Sequence, residues 1–95
     1  MLFALVAHDK PGQLWKRQET RPEHLKFLET LGDRLILAGP FLDDKGDMTG
    51  SIVVIEAESY EAAKADFDRD PYGLAGLFDS VLLKRWHLGI NNTKK

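Results

Sequence analysis

Short apolar runs alternate with amphipathic stretches along this chain, and their lengths predict four strands and two main helices. Residues 2–8 are apolar and are followed by turn residues, as expected of a first strand. Further runs of strand length lie at 35–38, 51–57 and 79–87, and the second of these is rich in β-branched residues. The order β-α-β-β-α-β is that of an α+β, ferredoxin-like fold, in which one antiparallel four-stranded sheet carries two helices on one face.

Capping signals predict the limits of the first helix. Thr20 and Glu23 have the spacing of a capping box, and Pro22 is best tolerated in the first turn of a helix. We therefore expect a helix from about Thr20 to Gly32, with Gly32 as its C-terminal cap. Residues 13–19 are expected to form a separate turn or short helix before it.

Similar signals predict the later boundaries. Ser59 is a good N-cap for a second helix, which should end around Asp70 because the residue before Pro71 is biased out of helical geometry. Asp70 and Pro71 together can open a further short turn, with the aspartate as its cap. The Gly39-Pro40 pair is expected to end the second strand.

The strands carry apolar residues at both alternating positions, as in Leu5 and Val6, 52–55 and 81–83. A sheet with one face in water should instead alternate apolar with polar residues. Two helices cover only one face, so we expect a homodimer whose sheets pack face to face. The alternative, that the remaining apolar positions line an internal pocket, is compatible with a dimer.

Composition narrows the class of protein. The 95 residues are expected to form one domain over 1–95, with a mobile polar tail at about 90–95. A net charge of −2 favours neither nucleic acid nor an anionic membrane as partner, and no apolar run is long enough for a membrane helix. The chain has no cysteine, which excludes thiolate metal sites and fits a cytoplasmic location.

His24 is the most informative polar residue. On a helical wheel it lies between Leu28 and Leu31, within the apolar stripe that must face the sheet. A histidine there can act as general acid or base near neutral pH. The alternative is a partly buried histidine whose ring bonds a backbone carbonyl, and the wheel alone favours that alternative.

Two aspartates are candidate partners of this imidazole. Asp70 has a structural explanation as a cap, whereas Asp9 ends the first strand, where it can approach His24 with Arg17 on the intervening segment. Ser51 begins the central strand and is a candidate donor to a substrate oxygen. The three histidines are too dispersed to predict a metal site, and we expect neither metal nor cofactor.

An ordered set of short motifs resembles the YCII-related family across nearly the whole chain. No single motif is specific, but their order is. The set comprises Ala7-x-Asp9, Arg21-Pro-Glu-His-Leu25, Ala38-Gly-Pro40, Gly50-Ser51, Glu61-Ala-Ala63, Asp70-Pro-Tyr72 and Ala75-Gly76.

This resemblance implies a ferredoxin-like subunit that pairs into a dimeric α+β barrel, similar to muconolactone isomerase. It also implies an active site around a histidine and an aspartate, which correspond to His24 and Asp70 here, and it makes a pocket role for His24 the favoured one. The further candidates are Asp9 as a catalytic residue and Arg17, Ser51, Gly39 and Pro40 as substrate contacts.

One branch of the family removes chloride from a chlorinated hydroxyhydroquinone, which implies proton transfer on small cyclic or aromatic compounds. We therefore expect a cofactor-free lyase or isomerase that uses a His-Asp pair. The competing hypotheses are a non-catalytic homodimer that binds a small metabolite and a purely structural interaction protein. A fold and a dyad do not determine a substrate.

Overall fold

The computed structural model describes residues 1–93, so Lys94 and Lys95 at the end of the predicted tail lie outside it. In chain order the elements are β1 (Leu2–Asp9), α1 (Leu14–Thr30), a 3₁₀ turn (Gly32–Arg34), β2 (Leu35–Leu42), β3 (Met48–Glu56), α2 (Tyr60–Phe67), α3 (Pro71–Leu74) and β4 (Phe78–Trp86). Within this part of the chain, no helix combines the length and apolar character needed to cross a bilayer.

The strands form one four-stranded sheet in the order β2-β3-β1-β4. Each neighbouring pair is antiparallel, and β1 is central, pairing with β3 on one side and β4 on the other. This order and the helical connections confirm the predicted α+β, ferredoxin-like fold.

The first helix is longer than predicted. It begins at Leu14 and is continuous to Thr30, so Thr20 is not its start and Pro22 lies in its interior. Pro22 is exposed and costs one backbone hydrogen bond, about 3 kcal/mol. Burial of the helix face towards the sheet outweighs that cost. A capping signal is local and carries no information about this burial. Gly32 follows the helix with φ of 56°, as predicted for its cap.

The second strand also continues further than predicted. Gly39 and Pro40 do not end it, because β2 extends to Leu42 and Pro40 pairs opposite Ser51. Proline is tolerated here because β2 is an edge strand, whose outward N–H positions need no partner in the sheet.

The predicted capping residues of the later helices are confirmed, although α2 ends at Phe67 rather than near Asp70. The Ser59 hydroxyl accepts a hydrogen bond from the Ala62 N–H at 3.1 Å. The Asp70 carboxylate accepts one from the Tyr72 N–H at 3.0 Å and so caps α3. These two caps place α3 between α2 and β4, next to α1.

Alternate residues of the strands face the helices and form the core. Phe3, Leu5, Val53 and Ile55 are buried there against the apolar side chains of α1 and α2. The intervening residues point to the other face of the sheet, which no helix covers. That open face carries Leu2, Ala4, Val6, Leu37, Ile52, Val54, Leu82 and Trp86.

Candidate active site

One face of α1 forms a wall of a pocket against β2 and β3. Arg17, Arg21, His24 and Leu28 follow one another at spacings of four, three and four residues, which places them on the same side of a helix. We call this cavity, about 120 Å³ in volume, the α1 pocket. Its other lining residues include Ala38, Gly39, Pro40, Met48, Ser51, Val53 and Tyr72.

His24, which lines this pocket, forms a hydrogen bond with Asp70 behind it. The His24 Nδ1 and the Asp70 Oδ1 are 2.8 Å apart, and both residues are buried. The same Asp70 oxygen accepts the Tyr72 N–H, so the carboxylate caps α3 and holds the imidazole at once. The two roles considered for Asp70 are therefore both present.

The carboxylate determines which nitrogen of the neutral imidazole carries hydrogen. Because Asp70 accepts, Nδ1 is the donor and Nε2 keeps a lone pair. Nε2 has no hydrogen bond to residues 1–93, and no buried side-chain nitrogen or oxygen in that range lacks a partner. It follows that Nε2 is accessible from the α1 pocket, which His24 lines.

A second buried pair lies two helical turns away. The Arg17 Nε donates to Asp9 Oδ2 at 2.6 Å, and Arg17 Nη2 donates to Asp9 Oδ1 at 2.9 Å. Nη2 also donates to the Ser51 hydroxyl at 2.9 Å, which attaches β3 to the same guanidinium. Only 2% of Arg17 is exposed, so its charge is neutralised within the protein.

Tyr72 connects the two pairs. Its ring stacks on the His24 imidazole, with centroids 3.9 Å apart, and the Arg17 guanidinium carbon is 4.4 Å from the ring centroid. Burial raises the pKa of the Tyr72 hydroxyl, while the nearby charges of Arg17 and Arg21 oppose that rise. Tyr72 thus remains a neutral phenol that fixes the plane of the imidazole.

The structure brings together most of the predicted site residues. Gly39 and Pro40 line the α1 pocket with Ser51, His24 and Arg17, and Asp70 bonds His24 from outside the pocket lining. Asp9 is the exception, because its carboxylate pairs with Arg17 rather than with His24. The expected approach of Asp9 to His24 was therefore wrong: the longer α1 places Arg17 directly opposite Asp9.

Among the pocket residues that sequence reasoning did not predict, two have polar or charged side chains, Tyr72 and Arg21. Tyr72 was noticed only as part of a motif, and its burial depends on α3 packing against α1. Arg21 is exposed at the mouth, where its Nη1 lies 3.3 Å from the Met48 sulfur. The spacing from Arg17 to His24 would have revealed Arg21, had the helix start been placed correctly.

No group of three or more His, Cys, Asp or Glu side chains is placed to hold a metal ion within residues 1–93. The side chains that line the α1 pocket offer an imidazole lone pair, a phenol, a hydroxyl and guanidinium groups.

Comparison with known proteins places this chain in a family. The model of the family described as "YCII-related domain" matches residues 1–87. The chain belongs to the YCII-related family. Protein YciI of Escherichia coli is 45% identical over 92 residues, which cover 88% of this chain and 94% of that protein. An uncharacterized protein of Haemophilus influenzae is 37% identical over the same shares of both chains.

The solved structures of similar fold include that of an enzyme. The 5-chloro-2-hydroxyhydroquinone dehydrochlorinase of Burkholderia phenoliruptrix, in complex with 2,5-dihydroxybenzoquinone, has a TM-score of 0.85 and 37% identity, covering 92% of this chain and 94% of that one. A NIPSNAP family protein from Agrobacterium tumefaciens has a TM-score of 0.54 at 14% identity, covering 87% of each chain, and shows the fold alone.

Proposed function

We propose that this YCII-related protein is a cofactor-free enzyme of lyase or isomerase type that transfers a proton on a compound with a single ring. The observation that carries the proposal is the accessible Nε2 of His24, whose other nitrogen is held by a buried carboxylate. A positioned imidazole of this kind typically contributes about 10²–10⁴ in rate.

The proposed step begins when Nε2 takes a proton from a ring hydroxyl or an acidic C–H of the substrate. The released electron pair forms a new double bond in the substrate. Either an anion then leaves, as in a lyase, or the proton returns to another carbon, as in an isomerase. Asp70 stabilises the imidazolium that forms, through the existing hydrogen bond at 2.8 Å.

The remaining pocket residues suit a substrate that gains negative charge on oxygen. Arg17 and the Ser51 hydroxyl line the α1 pocket together with His24, and Arg21 adds a positive charge at the mouth. Hydrogen-bond donors that are already fixed by other contacts stabilise such an oxygen without reorganising. Gly39 and Pro40 present little side chain and leave room for a flat ring.

The size of the pocket and one relative support a single-ring substrate. The α1 pocket, at about 120 Å³, is smaller than the cavity of about 150 Å³ that encloses benzene in a well-studied case, so it has room for no more than one ring. The Burkholderia relative acts on 5-chloro-2-hydroxyhydroquinone and was solved with 2,5-dihydroxybenzoquinone, both of them one-ring compounds. We infer the class of substrate from this, not the compound.

The test compares His24→Gln with the wild type on a panel of catechols, hydroxyquinones and lactones, followed by their absorbance. We expect turnover of at least one compound, reduced about 10²–10⁴-fold in His24→Gln, with little change in the free energy of unfolding. His87→Gln is the matched control, because His87 is exposed, follows the end of β4 and does not line the α1 pocket.

Other outcomes separate the competing functions. If no compound is consumed but one raises the melting temperature of the wild type and not of His24→Gln, the protein is a binding module. Equal turnover by the wild type and His24→Gln would refute the catalytic role of the imidazole.

We also propose that the protein is a homodimer that pairs through the open sheet face. The support is the apolar character of that face, where Leu82 is 51% and Trp86 is 39% exposed in the isolated chain. Light scattering should give twice the chain mass, and Leu82→Asp should give a folded monomer. Ile90→Asp, which changes an equally apolar but non-sheet residue, should leave the dimer intact. The expected cytoplasmic location stays a prediction.

A further inference from the structure

We propose that a groove on the β4 side of the molecule is a second ligand site, for a small apolar molecule that donates one hydrogen bond to Asp70. This groove lies between α2, α3 and β4, and we call it the β4 groove. Its walls include Leu5, Phe67, Leu74, Phe78, Val81 and Leu83. Nothing in the proposed reaction uses it.

The β4 groove is separate from the α1 pocket but shares a wall with it. Asp70 lines the groove, whereas His24 and Tyr72 line the pocket. Its cavity volume of about 390 Å³ exceeds the 120 Å³ of the α1 pocket. A compound too large for the α1 pocket therefore has room on the other side of the same carboxylate.

One carboxylate oxygen is the polar feature that this groove offers. Asp70 Oδ1 is occupied by His24 and by the Tyr72 N–H, and Oδ2 has no hydrogen bond to residues 1–93. No buried side-chain oxygen in that range lacks a partner, so Oδ2 must be accessible. Since Asp70 is only 2% exposed and lines the β4 groove, Oδ2 opens into the groove.

These surroundings define the chemistry of the ligand. Apolar walls favour a hydrocarbon body, and a buried carboxylate oxygen without a partner favours a donor over an acceptor or an anion. At the rim, Lys64 and Asp68 bond each other at 2.9 Å, so they satisfy one another. An alcohol or phenol with an apolar ring or chain meets these requirements.

Ligand binding in the β4 groove should change the chemical environment of the His24 ring. A hydrogen bond to Oδ2 withdraws charge from the carboxylate whose Oδ1 holds the imidazole. The charged and titratable groups around the imidazole are Asp70 and Tyr72 from α3 and, on α1 itself, Arg17 and Arg21. Of these groups, Asp70 alone also lines the groove, so it is the direct link between the two cavities.

The experiment titrates the full-length protein with cyclohexanol while recording methyl and imidazole resonances by NMR. Cyclohexyl methyl ether, which has the same ring but no donor, is the matched probe. We expect saturable shifts at Leu74, Val81 and Leu83, accompanied by a shift of the His24 ring, with affinity for the ether at least tenfold lower. Leu25, Leu28 and Val53 report on the α1 pocket and should move less.

A pair of variants tests the location. Leu74→Glu places a charge on the groove wall and should weaken cyclohexanol binding at least tenfold, whereas Ile90→Glu should not. Both residues are highly exposed, at 73% and 82%, so neither change should unfold the protein. The turnover measured for wild type and His24→Gln tests the proposed enzyme, whereas cyclohexanol binding tests the β4 groove. Either proposal can therefore fail without the other.

Three results would overturn the proposal. Shifts confined to Leu25, Leu28 and Val53 would place the alcohol in the α1 pocket. Equal affinity for alcohol and ether would remove Asp70 from the recognition. Shifts of the groove methyls on diluting the protein alone would show that a second copy of the chain fills the groove.

Discussion

The two buried charge pairs of this protein are built differently. Arg17 and Asp9 are joined by two parallel hydrogen bonds, and Ser51 takes a further one from the guanidinium. His24 and Asp70 share a single contact and leave one atom of each partner, Nε2 and Oδ2, open to a cavity. The first pair is closed and holds elements together, whereas the second is open and is available for chemistry.

The physical difference lies in whether the cation can lose its charge. A guanidinium stays protonated at any pH that the protein experiences, so burying Arg17 requires a permanent counter-charge. An imidazole can be neutral, so His24 can lie buried without one. The comparison therefore predicts that substituting Asp9 lowers the free energy of unfolding by more than substituting Asp70 does.

The largest expected effect is that of Asp9→Ala. Removing the carboxylate leaves Arg17 buried without a counter-charge, which should cost about 3–5 kcal/mol in the free energy of unfolding. Urea denaturation measures this cost. The double variant Asp9→Ala/Arg17→Met should recover much of the loss, and a loss below about 1 kcal/mol in the single variant would show that the pair is not needed.

A smaller effect on stability is expected for Asp70→Asn. Asparagine also caps helices well, so α3 should persist and the loss should stay below about 1 kcal/mol. Any turnover should nevertheless fall about 10²–10⁴-fold, because the amide oxygen that caps α3 also faces Nδ1 and lacks the negative charge that stabilises the imidazolium. Denaturation and kinetics on the same preparation check both parts. If Asp70→Asn lowers the free energy of unfolding as much as Asp9→Ala does, the distinction between the two charge pairs is wrong.

The smallest effect concerns Tyr72, which lies between the pairs. Burial raises its pKa above the ordinary value of about 10, so the folded protein holds the proton longer than the unfolded chain does. Its contribution to stability is full below about pH 10 and is lost as pH rises from there through the folded pKa. Tyr72→Phe should therefore flatten the alkaline fall in stability, measured by denaturation across that range. Tyr60→Phe, at a 45% exposed position, should not.

The fold could be predicted largely from the sequence because apolar spacing and capping residues are local signals. Ser59 and Asp70 cap the helices that they were expected to cap, and the four strands fall in the expected order. The errors lie where tertiary context overrides a local rule. Pro22 is tolerated within α1 because the buried face of that helix outweighs its cost, and Pro40 is tolerated within β2 because β2 is an edge strand.

In the candidate site, too, local signals predicted some features and tertiary contacts determined the others. The helical wheel placed His24 on the inward face of α1, and family resemblance paired it with Asp70. Arg17 was expected beside the pocket, but its partner was assigned wrongly, since a helix starting at Thr20 leaves the position of Arg17 undefined. Tyr72 gave no local signal, because its burial arises from the contact between α3 and α1.

The sequence by itself determined the family, the order of strands and helices, and the residue types that can move a proton. Only the tertiary structure decided which aspartate meets His24, because that depends on where α3 packs against α1, 46 residues further along the chain. It also decided which atoms remain accessible. A hydrogen bond between distant residues depends on packing in three dimensions, and local spacing carries no information about it.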